Sequence, residues 1–131
     1  MVIDSSAILA LLMAEPESEQ FASAIDTASV RLMSAANLLE TSIVIEARHG
    51  LAGGNKLDEL IKKAQISVEP VSLEQAEAAR VAYRAFGKGR HPAGLNFGDC
   101  FAYALAKISD EPLLFKGDDF TKTDLHLVIL A

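Results

Sequence analysis

Residues 95–106 read LNFGDCFAYALA, and their reading decides the fold. From Asp99 onward the segment is almost wholly apolar, with Cys100, Phe101, Ala102, Tyr103, Ala104, Leu105 and Ala106 following without a charge. A helix of this composition has no polar face, so it has to lie buried within a larger assembly. An ionised carboxylate at the mouth of such a helix is costly unless something pairs with it. What pairs with Asp99 is the functional question.

Working outward, short runs rich in β-branched or bulky apolar residues predict strands at MVI (1–3), VRLMS (30–34), ISVEPV (66–71), PLLF (112–115) and LVIL (127–130). Helical patterns lie between them. SSAILALLM follows Asp4, and ESEQFASAIDT follows Pro16 with Phe21, Ala24 and Ile25 on one side. NLLETSIVIEARHG runs to Gly50, a common helix terminator, and NKLDELIKKAQ carries Leu57, Leu60, Ile61 and Ala64 on one stripe. The intervening GLAGGNK lacks P-loop spacing and reads as a helix-breaking turn. SLEQAEAARVAYRAF opens with Ser72 and Gln75 at capping-box spacing. Strands alternating with helices predict an α/β fold of three layers, α/β/α, around a mostly parallel sheet of four to five strands.

The 131 residues, half of them hydrophobic, fit one domain over 1–131 with a sizeable core. No apolar run reaches membrane-spanning length, and an acid stands at position 4 where a secretory signal carries positive charge. A soluble, cytoplasmic protein without membrane association is expected. The single cysteine excludes an internal disulfide and a cysteine-based metal site, leaving Cys100 a packing role. His49, His91 and His126 are scattered without ligand spacing. A net charge of −6 excludes a protein that coats nucleic acid by bulk electrostatics, although local contacts remain open. Arg80, Arg84, Lys88 and Arg90 carry positive charge with no acid between them and read as either a solvated face or a phosphate-contacting one.

In a parallel α/β sheet the strand-to-helix connections open at the carboxyl ends of the strands, where ligands bind. Asp4 follows the first strand, Glu40 lies in the first turns of the helix after the second, Asp99 opens the buried helix, and Asp118 and Asp119 follow PLLFKG. All belong to that edge. Glu40 shares a largely apolar stripe with Ala36, Asn37, Ile43 and Val44 and is expected to point inward, whereas Glu46 falls toward Ser42 and Gly50 and points outward. Each acid also has a structural reading: Asp4 as a helix cap, and Asn37 with Glu40 and Asn96 with Asp99 as capping pairs. Collected at one edge, however, such carboxylates raise one another's pKa. A hard divalent cation relieves the repulsion, and an oxygen-only set without histidine or cysteine suits Mg²⁺ or Mn²⁺ better than zinc. A cation there would polarise a phosphodiester and activate a water for in-line displacement. Ser5, Ser6 and Asn96 are placed either to cap helices or to meet a metal-bound water or a phosphate.

VIDSSAIL, NLLETSIVIEARHG, GLNFGDCFAYALAK and PLLFKGDDFTKTDL, in that order and spacing, resemble the PIN-domain family and within it the VapC-type toxin ribonucleases of bacterial toxin–antitoxin pairs. The resemblance covers essentially the whole chain. It implies a three-layer PIN-like domain and a Mg²⁺- or Mn²⁺-dependent endoribonuclease whose metal-binding acids are Asp4, Glu40, Asp99 and a fourth in KGDDF. Asp119, next to Phe120, is the preferred fourth acid, with Asp118 the alternative. Ser6 and Asn96 resemble polar residues that accompany the first and third acids, and Arg84 and Arg90, in the basic stretch, are candidates for RNA contact. The resemblance further implies a homodimer and a VapB-type antitoxin partner, with the apolar face of SSAILALLM and the helix after it as parts of the antitoxin groove.

Three other readings compete. A haloacid-dehalogenase-like phosphatase needs a second aspartate two residues after the first, where this chain has Ser6. A response-regulator receiver needs a phosphoacceptor aspartate after the third strand, where ISVEPVSLEQ supplies only glutamates. A non-catalytic protein-interaction domain with a degenerate acidic site would neither bind divalent cations nor be stabilised by them.

Overall fold

The computed structural model describes all residues, 1–131. Four short strands, β1 (Val2–Ile3), β2 (Leu32–Ser34), β3 (Ser67–Glu69) and β4 (Leu113–Leu114), pair in parallel in the order β3-β2-β1-β4. The register places Val2 between Leu32 and Leu113, so β1 is the central strand from which the chain first moves one way and later the other. Such a reversal opens a crevice at the carboxyl end of the sheet.

Around the sheet stand α1 (Ser5–Leu12), α2 (Ser18–Thr27), α3 (Ala35–Lys63), α4 (Leu73–Phe86), α5 (Phe97–Ser109) and a short 3-10 helix, Asp119–Lys122. Successive strand residues face opposite sides, which divides the core in two. Val2 and Leu113 pack with α4, α5 and Phe120, and the partly buried Leu32 joins them. Ile3, Met33 and Leu114 pack with Ile8 of α1, Phe21 and Ile25 of α2, and Ile45 and Leu57 of α3. Helices therefore cover both faces, giving the expected three layers. The α5 segment is buried along most of its length, including Cys100, Ala102, Tyr103, Ala104, Leu105 and Ala106, as its composition requires.

Two expectations need correction. LVIL is not a fifth strand: Leu127 makes one isolated bridge to Leu113, through which Leu113 N–H donates to His126 O and Val128 N–H to Leu113 O. A single bridge leaves the rest of that segment outside the sheet, and Ile129 is exposed. GLAGGNK breaks the helix at Gly50 as expected, but by a single residue and not by a turn. Only Gly50 departs from helical geometry (φ 63°, ψ −158°), and helix resumes at once through Gly53 and Gly54 into Leu57. α3 is thus two helical segments joined at one kinked glycine.

An L-residue is strained at the Gly50 backbone conformation although nothing lies within 4 Å of its would-be Cβ, so the constraint is purely one of backbone. Gly50→Ala is expected to destabilise the fold by about 1–2 kcal/mol, read as a lower denaturant midpoint with an unchanged m-value.

Candidate active site

Four elements deliver four acids to the crevice at the end of the sheet. Asp4 leaves β1 and caps α1: its Oδ2 accepts from Ser6 N–H at 3.0 Å and from Ser6 Oγ at 2.6 Å. Ser6 Oγ in turn accepts from Lys116 N–H at 2.9 Å, which ties the exit of β4 to the first acid. The Ser6 hydroxyl is thereby engaged in orienting Asp4.

Glu40 sits one turn into α3, whose cap is Ser34, through an Ala36 N–H···Oγ bond of 3.3 Å. The predicted Asn37–Glu40 cap is therefore incorrect. Asn37 lies inside the helix, fully buried, and its Nδ2 donates to Gly98 O at 2.9 Å and to Glu40 Oε1 at 3.3 Å. Ser5 Oγ also donates to Glu40 Oε1, at 2.6 Å. The inward aspect of α3 runs through Asn37, Thr41 and Ile45, while Ile43, expected on it, is exposed. Glu40 borders that buried stripe and Glu46 is exposed, as expected.

Asp99 and Asn96 form a reciprocal capping box at the start of α5: Asn96 N–H donates to Asp99 Oδ2 at 3.0 Å, and Asp99 N–H to Asn96 Oδ1 at 2.9 Å. The capping readings of Asp4 and Asp99 are thus realised, but they use one oxygen each. Asp4 Oδ1, Glu40 Oε2 and Asp99 Oδ1 take part in none of these bonds. Gly98 makes room for the glutamate, since a Cβ there would clash with Glu40 Oε2. Ser5, Asn37 and Gly98 are the site residues whose roles the sequence did not announce. The signals were a serine directly after Asp4 and a polar Asn37 on a largely apolar helical stripe.

The electrostatics join the four acids. Burial raises the pKa of Asp4, partly offset by its bonds to Ser6, and Glu40 raises it further. Burial likewise pushes Asp99 up to about 6, against the Asn96 bond that lowers it, with Asp4, Asp119 and Glu40 adding like-charge repulsion. Asp119, in the 3-10 helix beside the buried Phe120, is therefore within electrostatic reach of Asp99. The segment carrying Asp119 is held to α5 by Tyr103 Oη donating to Asp124 at 2.5 Å and by the Lys107–Asp124 ion pair at 2.8 Å.

The acids are adjacent without being clenched: no three His, Cys, Asp or Glu side chains are gathered tightly enough to hold a metal ion among them. Mg²⁺ is ordinarily held by one or two carboxylates with several waters retained, so an open cluster with uncommitted carboxylate oxygens fits its habits. Nothing in the site suits a softer metal. Burial, followed by the charge of Asp99, raises the Cys100 thiol to about 11, so it stays protonated. His91 is structural: its Nδ1 accepts from Ala93 N–H at 3.0 Å and its ring meets Phe86 edge-on. Of the basic stretch, Arg80 and Lys88 line a groove between α4 and α5, Arg90 lies over the Tyr83 ring, and Arg84 is exposed outside the groove.

The PIN domain family profile matches residues 1–125. Ribonuclease VapC30 of Mycobacterium tuberculosis is 55% identical over 130 residues, 99% of each chain. Among solved structures, the M. tuberculosis VapC20 toxin, described as cleaving the sarcin-ricin loop, superposes with a TM-score of 0.78 at 17% identity over 97% of both chains. A toxin–antitoxin complex from Klebsiella pneumoniae gives 0.68 at 15% identity over 97% of this chain and 95% of that one.

The Asp99 pKa of about 6 lies above its ordinary 3.8, so ionisation costs the folded state more than the unfolded one. That cost is absent below about pH 4, grows as pH rises toward 6, and is complete above it. Asp99→Asn keeps an oxygen for the capping bond and removes the charge. Without divalent cations it is expected to melt about 3 °C above the parent chain at pH 8 and level with it at pH 4, as followed by circular dichroism.

Proposed function

The chain belongs to the PIN-domain family, and on that premise we propose that it is a metal-dependent endoribonuclease, the toxin of a toxin–antitoxin pair, acting in the cytoplasm through a site on its single 1–131 domain. The observation that carries this reading is the meeting of Asp4, Glu40, Asp99 and Asp119 at one sheet edge, each raising or raised by another's charge. Asp4 and Asp99 are the central ligands, Glu40 binds the metal or positions its water, and Asp119 completes the set. The cation is Mg²⁺ or Mn²⁺, whose charge, when bound, polarises the phosphodiester and eases deprotonation of the attacking water.

The chain's own groups supply the positioning. Ser6 and the Lys116 amide fix the Asp4 carboxylate, Ser5 and Asn37 fix Glu40, and Asn96 fixes Asp99. Because these bonds are made before substrate arrives, little reorganisation accompanies catalysis. The capping box leaves the Asn96 Nδ2 amide available to the RNA.

The family's pairing with antitoxins supports a VapB-type partner here, as does the fold shared with a protein solved as a toxin–antitoxin complex. Ala7, Ile8 and Ala10 of α1 are consumed by the core, so the antitoxin groove expected on SSAILALLM narrows to Leu12, Met13 and Ala14, which line a cleft against Ile45 and His49. A homodimer is supported by Leu39 and Ile43, both 62% exposed and one turn apart on α3, flanking Glu40.

The test is cleavage of a mixed cellular RNA pool by the purified, antitoxin-free chain. Discrete fragments are expected with Mg²⁺ or Mn²⁺ and none with chelator. Asp4→Asn, Asp99→Asn and Asp119→Asn should each lower the rate at least about a hundredfold, an interaction of roughly 3 kcal/mol in the transition state, whereas Asp118→Asn keeps most activity. Cleavage that persists in chelator, or that ignores Asp99→Asn, overturns the reading.

A further inference from the structure

The groove between α4 and α5 is not used by the acids, yet it adjoins them. Its volume is about 560 Å³, the buried Ala79 and Cys100 lie at its base, and Ala76, Tyr83, Phe97 and Phe101 line it. Phe97 is 78% exposed and meets Phe101 edge-on, with ring centroids 4.9 Å apart. Aromatic rings left open to water on a helix that is otherwise buried need an explanation. Asn96 lines the same groove, and its backbone N–H bonds Asp99. The mouth of the groove is therefore one capping box away from the acids.

The charge around it narrows what it takes. Arg80 and Lys88 line it and Arg90 lies 5.9 Å from the Tyr83 ring centroid. None of these cations has an ion-pair partner, so their charge is open to an occupant of the groove. An occupant with a flat apolar face and a negative backbone satisfies both the rings and the cations. Unpaired nucleotides have that chemistry: bases stack on aromatic side chains while basic groups follow the phosphates. A duplex, with its bases stacked internally, offers no such face. The protonated Cys100 on the floor adds no reactivity.

We infer that the α4–α5 groove is a base-stacking subsite that seats an unpaired nucleotide of the RNA beside the scissile phosphate, with Phe97 as its principal ring and Arg80 and Lys88 as its phosphate contacts. This rests on the nuclease reading for its substrate but is a separate claim about recognition. Unpaired RNA is thereby favoured over duplex, and the identity of the nucleotide flanking the cut is read in this groove.

The experiment measures binding, so it does not depend on catalysis. A fluorescein-labelled single-stranded RNA dodecamer of mixed sequence, and the same strand in duplex, are titrated in Mg²⁺ with the Asp99→Asn chain, by anisotropy. Adding Phe97→Ala should weaken single-strand binding about tenfold, as loss of one stacked base does, with little effect on duplex. Phe97→Trp should restore the affinity, and Arg80→Ala with Lys88→Ala should weaken it and flatten its salt dependence. Phe97 is mostly exposed, so its variants are expected to fold, and a melting curve of each is the check. Equal single-strand affinity with and without Phe97→Ala overturns the inference. So does Phe97→Ala dissociating a dimer in sedimentation while RNA affinity stays unchanged, which would make the groove a contact between copies. If the binding result holds but the unsubstituted chain cuts no RNA, the subsite stands and the nuclease reading falls. If RNA is cut and Phe97→Ala leaves the cleavage positions and kcat/KM unaltered, the reverse is true.

Discussion

Repulsion among carboxylates at the end of a parallel sheet is the constraint around which this molecule is built. Burial already makes Asp4 and Asp99 reluctant to ionise, and Glu40 and Asp119 add like charge. A fold that needed only helix caps could have used serine or asparagine at these places without that cost. The chain instead keeps the acids and spends Ser5, Ser6, Asn37 and the Lys116 amide on holding one oxygen of Asp4 and of Glu40. The remaining oxygens are left for something positively charged.

The sheet topology explains why these particular acids meet. Placing β1 between β2 and β4 puts Asp4 at the centre of the carboxyl edge, with Glu40 arriving from the β2 side and Asp119 from the β4 side. The α5 helix, too apolar to lie anywhere but against the sheet, packs across β2, β1 and β4 and brings Asp99 to their carboxyl edge. Close approach of α3 and α5 then depends on the absence of a side chain at Gly98 and on the Asn37 Nδ2 bond to its carbonyl. Core packing and site assembly are thus one event: the burial that stabilises α5 also sets the electrostatics of Asp99.

Much of this was legible in the sequence because it depends on local pattern. Short β-branched or bulky apolar runs and helical spacing place the strands and helices, the apolar run from Cys100 to Ala106 demands burial, and the loop rule gathers Asp4, Glu40, Asp99 and the Asp118–Asp119 pair at one edge before any distance is known. What was not legible depends on residues far apart in the chain. Asn37 resembled a cap, but its role is to bond a carbonyl 61 residues away. LVIL has strand composition, yet only Leu127 bridges β4, and one bridge does not make a strand. GLAGGNK carries three glycines that suggest a turn, whereas only Gly50 takes a left-handed backbone and the others sit in helix, Gly53 against Ile45 and Gly54 against Glu46. Ser6 looked free for substrate because its bond to the Lys116 amide joins segments 110 residues apart.

The central claim is that these acids exist to bind a divalent cation, and calorimetric titration of Mn²⁺ into the metal-free chain at pH 7.5 tests it most directly. Saturable binding that disappears in Asp99→Asn is expected, because the cation takes up the carboxylate oxygens left outside the capping bonds. Absence of binding by a folded chain, or binding indifferent to Asp99→Asn, would contradict it and leave Asp4 and Asp99 as helix caps on an interaction domain.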